Sequence, residues 1–205
     1  MKRQARIAVL VSGGGTNLQA LIDAESSGIL RSGKIVLVIS NNPDAYALKR
    51  AEKAGIPCET VTKKECGSRE NAEQRIIALL ESNHIDLIIL AGFMSILSGS
   101  FTRRFDHRII NVHPALIPSF CGEGFYGLKV HEAALAKGVK VTGATVHYVN
   151  EIPDGGEIIM QKAVDVLPGD TPEILQERVM KNAEWIILPM SAEKVSAEII
   201  EKEQV

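Results

Sequence analysis

The regular alternation of short apolar runs with amphipathic stretches is the strongest constraint on the fold of this chain. Four runs are almost continuous in valine, isoleucine and leucine, over residues 6–12, 35–40, 87–91 and 109–113, and residues 58–61 form a shorter one. Such runs are typical of a parallel sheet covered by helices on both faces. Helices are predicted between them, over residues 17–25, 45–54, 70–83 and 98–105. This order predicts an open, doubly wound α/β sheet.

The pattern changes after Pro118. A glycine-rich loop, a helix and two strands are predicted next, over residues 120–127, 130–137, 141–149 and 158–166. The two strands are joined by a short turn at residues 153–156, and a connection of that length makes them an antiparallel hairpin. A final helix is predicted to begin at Thr171, with Pro172 in its first position, and to be broken at Pro189.

The composition narrows the classes of partner and compartment. Among 205 residues, 23 lysines and arginines face 25 acidic residues, for a net charge of −2. Nucleic acid and anionic membranes are therefore not expected partners. No apolar stretch approaches the ~20 residues that a membrane helix needs, and no signal-peptide core is expected at the N-terminus. Three cysteines without metal-ligand spacing predict a protein of the reducing cytoplasm, with no metal.

The first predicted strand leads directly into a glycine-rich turn, residues 12–17, with the sequence Ser-Gly-Gly-Gly-Thr-Asn. Such a turn before a helix exposes backbone N–H groups and the positive end of the helix dipole, and Thr16 and Asn17 add side chains that can cap the helix. Dinucleotide and P-loop patterns both fail, because Leu18 stands where glycine is needed and no Gly-Lys-Ser/Thr follows. The turn favours a phosphomonoester; a tight turn without a ligand is the alternative.

A polar pair, Asn111 and His113, ends the strand predicted at residues 109–113. Side chains alternate along a strand, so the two share one face. An amide donor and an imidazole at the carboxyl end of a strand suit a reaction in which a carbonyl oxygen gains negative charge. Asp154, in a later Pro-Asp-Gly-Gly segment, is a candidate for orienting the imidazole, although that segment is also ordinary turn chemistry.

Other candidates are weaker. His147 alternates within its predicted strand and can face the same cleft, whereas His84, His107 and His131 are expected on the surface. Cys121 follows the polar pair, and an incidental thiol is favoured there over a nucleophile.

Two further segments have open interpretations. The apolar loop over residues 91–97 packs in the core or lines a pocket for a flat heteroaromatic ring. For Arg69, three interpretations are open: it caps a helix, it contacts a phosphate, or it is a solvated surface charge.

Together these motifs resemble the folate-dependent phosphoribosylglycinamide formyltransferase family. The matching segments are residues 12–20, 40–45, 68–70, 90–97, 111–118, 143–147 and 154–156. They span nearly the whole chain in the family's order. The Asn-x-His…Asp core alone is shared with other enzymes that use formyl folates.

The resemblance implies transfer of the formyl group of 10-formyltetrahydrofolate, a cosubstrate, to the amine of glycinamide ribonucleotide in purine biosynthesis. It implies that Asn111 and a protonated His113 stabilise the oxyanion. Asp154 would hold His113 protonated, since a nearby carboxylate favours the charged imidazole. No metal is implied.

The resemblance also implies two sets of binding residues. The ribonucleotide would contact Gly15, Thr16, Asn17, Arg69 and Glu184. The folate would contact Phe93, Met94, Ile96, Leu97, Ile109 and Asn111. We expect a single formyltransferase domain over residues 1–205, with a phosphate-binding half (about 1–100) and a folate and catalytic half (about 101–205). Its partners are small molecules, and it is a monomer or a homodimer.

Two departures and three rival functions remain. Ser95 stands where many relatives have a basic residue, and residues 119–127 differ from the family's shorter loop. A formyltetrahydrofolate hydrolase is expected to carry an additional N-terminal domain, and a methionyl-tRNA formyltransferase an additional C-terminal RNA-binding region. A phosphate-binding module without catalysis would leave Asn111 and His113 without a purpose.

Overall fold

A single mixed sheet organises residues 3–203, which are the part of the chain that the computed structural model describes. Its strands are β1 (Ala5–Val11), β2 (Gly33–Ser40), β3 (Cys58–Thr60), β4 (Leu87–Leu90), β5 (Ile109–His113), β6 (Val141–Tyr148) and β7 (Ile158–Asp165). Their order is β3-β2-β1-β4-β5-β6-β7. The first five strands run parallel, and β6 and β7 are antiparallel to their neighbours. The predicted fold class, including the antiparallel C-terminal hairpin, is confirmed.

Helices lie on both faces of this sheet. They are α1 (Thr16–Ser27), α2 (Tyr46–Lys53), α3 (Lys63–Cys66), α4 (Arg69–Ser82), α5 (Gly99–Arg104), α6 (Leu128–Lys137), α7 (Pro172–Val179) and α8 (Trp185–Lys202). A π-helical turn, Met180–Glu184, joins α7 to α8. In the described part of the chain, no helix has the length and apolar character needed to cross a membrane.

β1 explains why the apolar runs are almost continuous. Ile7 and Val9 lie in one buried cluster with side chains of α1 and α8, whereas Ala8 and Leu10 lie in a second cluster with side chains of α4 and α5. Because successive side chains point to opposite faces, a strand that is covered on both sides has no position for a solvated residue. Polar side chains are therefore concentrated where the strands end.

The prediction that the final helix breaks at Pro189 is wrong. Pro189 is buried inside α8, and the irregularity is the π-helical turn just before that helix. A proline lacks the N–H that would bond to the carbonyl four residues earlier, and its ring crowds that carbonyl. That carbonyl belongs to Trp185, the first residue after the π-helical turn. The distortion therefore falls before the proline.

Gly143 provides a test of the β6–β7 pairing. A Cβ atom on Gly143 would lie 2.1 Å from the carbonyl oxygen of Lys162 on β7 and 2.9 Å from Leu116 Cδ2. We predict that Gly143→Ala lowers the free energy of unfolding by about 1–3 kcal/mol, because the backbone oxygen cannot move without disturbing the ladder. Urea denaturation measures this change. Gly99→Ala is the control, because its nearest atom, 3.0 Å away, ends the flexible side chain of Arg103; equal losses in both variants would contradict the prediction.

Candidate active site

A cleft with a volume of about 320 Å³ opens at the carboxyl ends of β4 and β5. A second cavity of about 350 Å³ lies at the glycine loop after β1. Asn17, Gly92, Met94 and Gln176 line both, so the two cavities form one continuous site. β2 and β3 lie on one side of β1, and β4 and β5 lie on the other, so the direction in which strands are added reverses at β1. Ligands of open α/β sheets bind at such a point of reversal.

The three predicted catalytic side chains meet in this cleft. Asn111 and His113 share a face of β5, as the alternation predicts, and Asp154 reaches them from the loop between β6 and β7. Asp154 Oδ2 lies 3.5 Å from His113 Nδ1 and accepts a 2.9 Å hydrogen bond from the Gly122 N–H. His113 Nε2 lies 2.8 Å from the Phe120 carbonyl oxygen. A carbonyl only accepts, so Nε2 carries a proton.

His147 belongs to the same cluster. It pairs with Asn111 across β5 and β6, and its Nε2 lies 3.3 Å from Asn111 Nδ2 and 3.5 Å from Asp154 Oδ1. Its Nδ1 faces the Tyr148 carbonyl at 2.7 Å and must donate to it. Nε2 is thus the ring nitrogen that contacts both Asn111 and Asp154.

Burial decides the direction of the pKa shift at His113. Burial lowers the pKa of His113, and this outweighs the charge of Asp154 and the Phe120 carbonyl, both of which raise it. The expected net rise from Asp154 is therefore not found, and a pKa below 6.5 leaves the ring mostly neutral at pH 7. At Asp154, burial raises the pKa, but the hydrogen bond with His147, the charge of His113 and the Gly122 N–H together lower it below its usual value.

The glycine loop presents its backbone amides to the second cavity. The carbonyls of Gly13, Gly14 and Gly15 accept hydrogen bonds from the Ala47 N–H at 3.0 Å, Arg50 Nε at 2.8 Å and the Gln19 N–H at 2.9 Å. The N–H of each planar peptide points away from its carbonyl. The amides that follow these carbonyls therefore face away from α1 and α2, as an anion site requires.

Gly15 is the glycine that the loop geometry requires. Its φ of 70° is left-handed, and a Cβ atom there would lie 2.6 Å from Ala47 Cβ. It is also the residue before the first turn of α1, without a side-chain cap. The prediction that Thr16 or Asn17 caps this helix is therefore wrong.

The side chains of Thr16 and Asn17 instead contact the π-helical turn between α7 and α8. Thr16 Oγ1 lies 3.9 Å from Met180 Sδ, and Asn17 Nδ2 donates to Glu184 Oε2 at 2.7 Å. Glu184 is 6% exposed. Burial raises its pKa more than the Asn17 hydrogen bond lowers it. The π-helical turn thus brings a buried carboxyl group to the cleft beside the glycine loop.

The apolar residues expected at the folate divide into two groups. Phe93, Met94 and Ile96 line the cleft, and the last two are more than half exposed. Leu97 and Ile109 do not line it, because both are buried in the cluster with α4 and α5. Ile109 shares the face of Asn111 but lies two residues, about 6.6 Å, further from the strand end, where the helices cover it.

Arg69 is not at the glycine loop. Its Nε lies 3.3 Å from Glu73 Oε1, and its other end donates to the Ile96 carbonyl. The structure therefore places Arg69 beneath the loop that carries Phe93 and Met94, and the expected contact with the ribonucleotide phosphate is not supported.

His131 is fully buried and lines the cleft, so the prediction of a surface position is wrong. The sequence contains the signal that corrects it, because Val130 and Ala134 are apolar and buried on the same helix. Residues three apart share a helix face, which puts His131 on the inward side of α6.

Gly156 packs closely against the backbone of the hairpin. A Cβ atom on Gly156 would lie 1.8 Å from the Tyr148 carbonyl oxygen. The hairpin's own backbone occupies that space. Asp154 itself has a φ of 55°, so a left-handed residue aims its carboxylate at the histidines. Within residues 3–203, no group of three or more His, Cys, Asp or Glu residues is arranged to hold a metal ion.

Comparison with known proteins identifies the class. Residues 5–190 match the family model described as formyl transferase. The chain belongs to this family, which confirms the resemblance of its motifs.

Within that family, the chain is similar to the phosphoribosylglycinamide formyltransferase of Haemophilus influenzae, with 42% identity over 90% of this chain and 84% of the relative. The crystal structure of phosphoribosylglycinamide formyltransferase from Brucella melitensis has a TM-score of 0.87 at 41% identity, over 95% of this chain and 97% of that one.

Two other similarities set limits on the assignment. The human trifunctional purine biosynthetic protein adenosine-3 is 45% identical over 96% of this chain. This chain spans only 19% of the length of that protein. A formyltetrahydrofolate deformylase from Pseudomonas syringae has a TM-score of 0.83 at 28% identity, over 95% of this chain and 62% of that one. The fold is therefore shared with an enzyme of a different reaction.

The charge state of His113 is open to direct measurement. We predict that its imidazole titrates below pH 6.5 and that Asp154→Asn lowers the midpoint further, because the substitution removes a negative charge that favours the imidazolium. NMR titration of the side-chain resonances measures both midpoints.

Glu151→Gln, an exposed change in the same loop as Asp154, is the control, and it is expected to leave the His113 midpoint unchanged. A midpoint for His113 above 6.5 would show that burial does not control this ring, and a rise in Asp154→Asn would show that the Asp154 charge does not favour the imidazolium.

Proposed function

We propose that this protein transfers the formyl group of 10-formyltetrahydrofolate to the amine of glycinamide ribonucleotide, a step of purine biosynthesis. One observation carries the proposal: the cluster of Asn111, His113 and Asp154 shares a continuous cleft with a phosphate-type glycine loop. A formyl hydrolase needs the cluster but not the loop. The similarity to named phosphoribosylglycinamide formyltransferases supports the same reaction.

In the proposed reaction, the amine nitrogen attacks the formyl carbon, the bond between that carbon and the folate nitrogen breaks, and one proton passes from the amine to the folate nitrogen. The Asn111 amide and His113 Nε2–H donate to the formyl oxygen as it gains negative charge. That oxygen would replace the Phe120 carbonyl as the acceptor for His113.

The same histidine is suited to carry the proton. Burial lowers its pKa, so the ring is mostly neutral at pH 7 and can accept a proton and return it. Asp154 Oδ2, 3.5 Å from Nδ1, stabilises the imidazolium while it exists. In this proposal His147 positions Asn111 and helps to keep Asp154 charged, without contacting the substrate.

The two ligands have separate places in the cleft. Gly15, Thr16 and Asn17 would bind the phosphate, and Glu184 would bind the ribose hydroxyl groups. Phe93, Met94 and Ile96 would flank the folate ring, with Asn111 between the two ligands. The cleft offers a fit for the folate, since apolar side chains line it next to polar groups with free donors.

We propose a single domain over residues 1–205 that acts on small molecules in the cytoplasm, as a monomer or a homodimer. The continuous sheet supports one domain, and the three cysteines are unpaired, as expected in a reducing compartment.

Formyl transfer is tested by following 10-formyltetrahydrofolate by absorbance, with and without glycinamide ribonucleotide. We expect folate release only when the ribonucleotide is present, with formylated ribonucleotide as the product. Release at the same rate without ribonucleotide would identify a hydrolase. No release in either case would leave a module that binds without catalysis and would refute the proposal.

Asp154→Asn tests the catalytic cluster. We expect a fall in kcat of about 100-fold or more, because the imidazolium loses its counter-charge, with a circular dichroism spectrum like that of the wild type. Glu151→Gln, an exposed change in the same loop, is the control and should keep its activity. Turnover near the wild-type rate in Asp154→Asn would remove Asp154 from the mechanism.

A further inference from the structure

His131 is a buried polar side chain whose hydrogen-bonding capacity is unused. Its exposed fraction is 0%, and neither ring nitrogen has a hydrogen-bond partner among the residues that the structure describes. Buried polar groups are almost always bonded, because loss of water without a replacement is unfavourable. The formyl transfer proposed above makes no use of this residue, so its burial requires another explanation.

The position of His131 provides one. It lines the same cleft as Asn17, Gln176 and Glu184, and α6, which carries it, packs against α7, which carries Gln176. Asn17 also has a buried side-chain oxygen without a partner among residues 3–203. Three buried polar atoms without a partner in the described residues, Asn17 Oδ1 and the two ring nitrogens of His131, therefore belong to residues that line this cleft.

The charge state of His131 restricts what it can bind. Burial, together with repulsion from His113, lowers its pKa to about 4, so the ring is neutral at pH 7. A neutral imidazole has one N–H donor and one nitrogen acceptor. It can therefore bond to an uncharged hydroxyl or amide, and it does not place a second positive charge beside His113.

We propose that His131 is a specificity-determining residue for the acceptor substrate, forming a hydrogen bond to a hydroxyl or amide group of the amine-bearing ribonucleotide. This inference rests on the proposed function. It assigns the residue to the ribonucleotide and not to the folate, because α6 packs against α7, and Gln176 of α7 lines both the cleft and the cavity at the glycine loop.

Three substitutions test the contact. His131→Leu removes both nitrogens at similar volume. His131→Asn keeps a polar group near the position of Nδ1, and His131→Gln keeps one near the position of Nε2. Titration calorimetry with glycinamide ribonucleotide and, separately, with tetrahydrofolate measures the two affinities without turnover. Glu132→Gln, an exposed change on the same helix, is the matched control.

For His131→Leu we expect the Kd for the ribonucleotide to rise about tenfold or more, since a buried polar group of the ligand would lose its partner. The Kd for tetrahydrofolate should stay within about twofold, given that the lost bond is to the other ligand. The Tm should be equal or higher, because an unpartnered buried polar group is replaced by an apolar one. We expect one of the two amide variants to recover most of the affinity and thereby to identify the nitrogen that bonds.

Each contrary result has a distinct meaning. Unchanged ribonucleotide affinity in His131→Leu would overturn the inference and leave a buried ring that the fold tolerates. Equal losses for both ligands, or a lowered Tm in all three variants, would overturn it in favour of a structural role. Failure of the wild-type protein to bind glycinamide ribonucleotide would instead refute the proposed function, and this inference with it.

Discussion

Burial of both faces of the parallel sheet is the constraint on which the rest of this structure depends. Side chains of β1 alternate between two apolar clusters, so the strand interiors have no place for unpaired polar groups. The polar groups of the cleft are therefore found at the strand ends. The glycine loop follows β1, the apolar loop follows β4, and Asn111 and His113 end β5. Three adjacent strands thus bring a glycine loop, an apolar loop and a polar pair to the same edge of the sheet.

The two antiparallel strands complete what the parallel ones cannot provide. Each parallel strand supplies residues to the cleft only at its carboxyl end. β6 runs the other way, so His147 lies opposite Asn111 and the chain then turns back over the cleft. The turn is held by close backbone packing at Gly156 against Tyr148. Asp154 consequently reaches His113 from the turn after β6, about 40 residues later in the chain.

Local sequence pattern predicted most of this arrangement. The exceptions depend on how far along a strand, or on which face of a helix, a residue lies. Alternation placed Asn111 and His113 on one face, but it could not show that Ile109, on that same face, is too far from the strand end to reach the cleft. A histidine on a helix is expected in solvent, and the apolar residues beside His131 had to be weighed to place it inward. Pro189 predicted a distortion, but not that a π-helical turn absorbs it one turn earlier. The position of Arg69 follows from tertiary contacts that spacing does not contain.

The buried groups of the cleft also show how burial distributes charge. Burial lowers the pKa of His113 and His131 and raises that of Glu184, so each is driven toward its uncharged form. Asp154 differs from these three groups, because the hydrogen bonds from His147 and the Gly122 N–H, together with the charge of His113, favour its charged form. Suppressing the charge of Glu184 reduces its repulsion of an anion at the glycine loop. The charge kept at Asp154 lies where an imidazolium would form on His113, and this arrangement supports the proposed transfer of one proton beside a phosphate at the glycine loop.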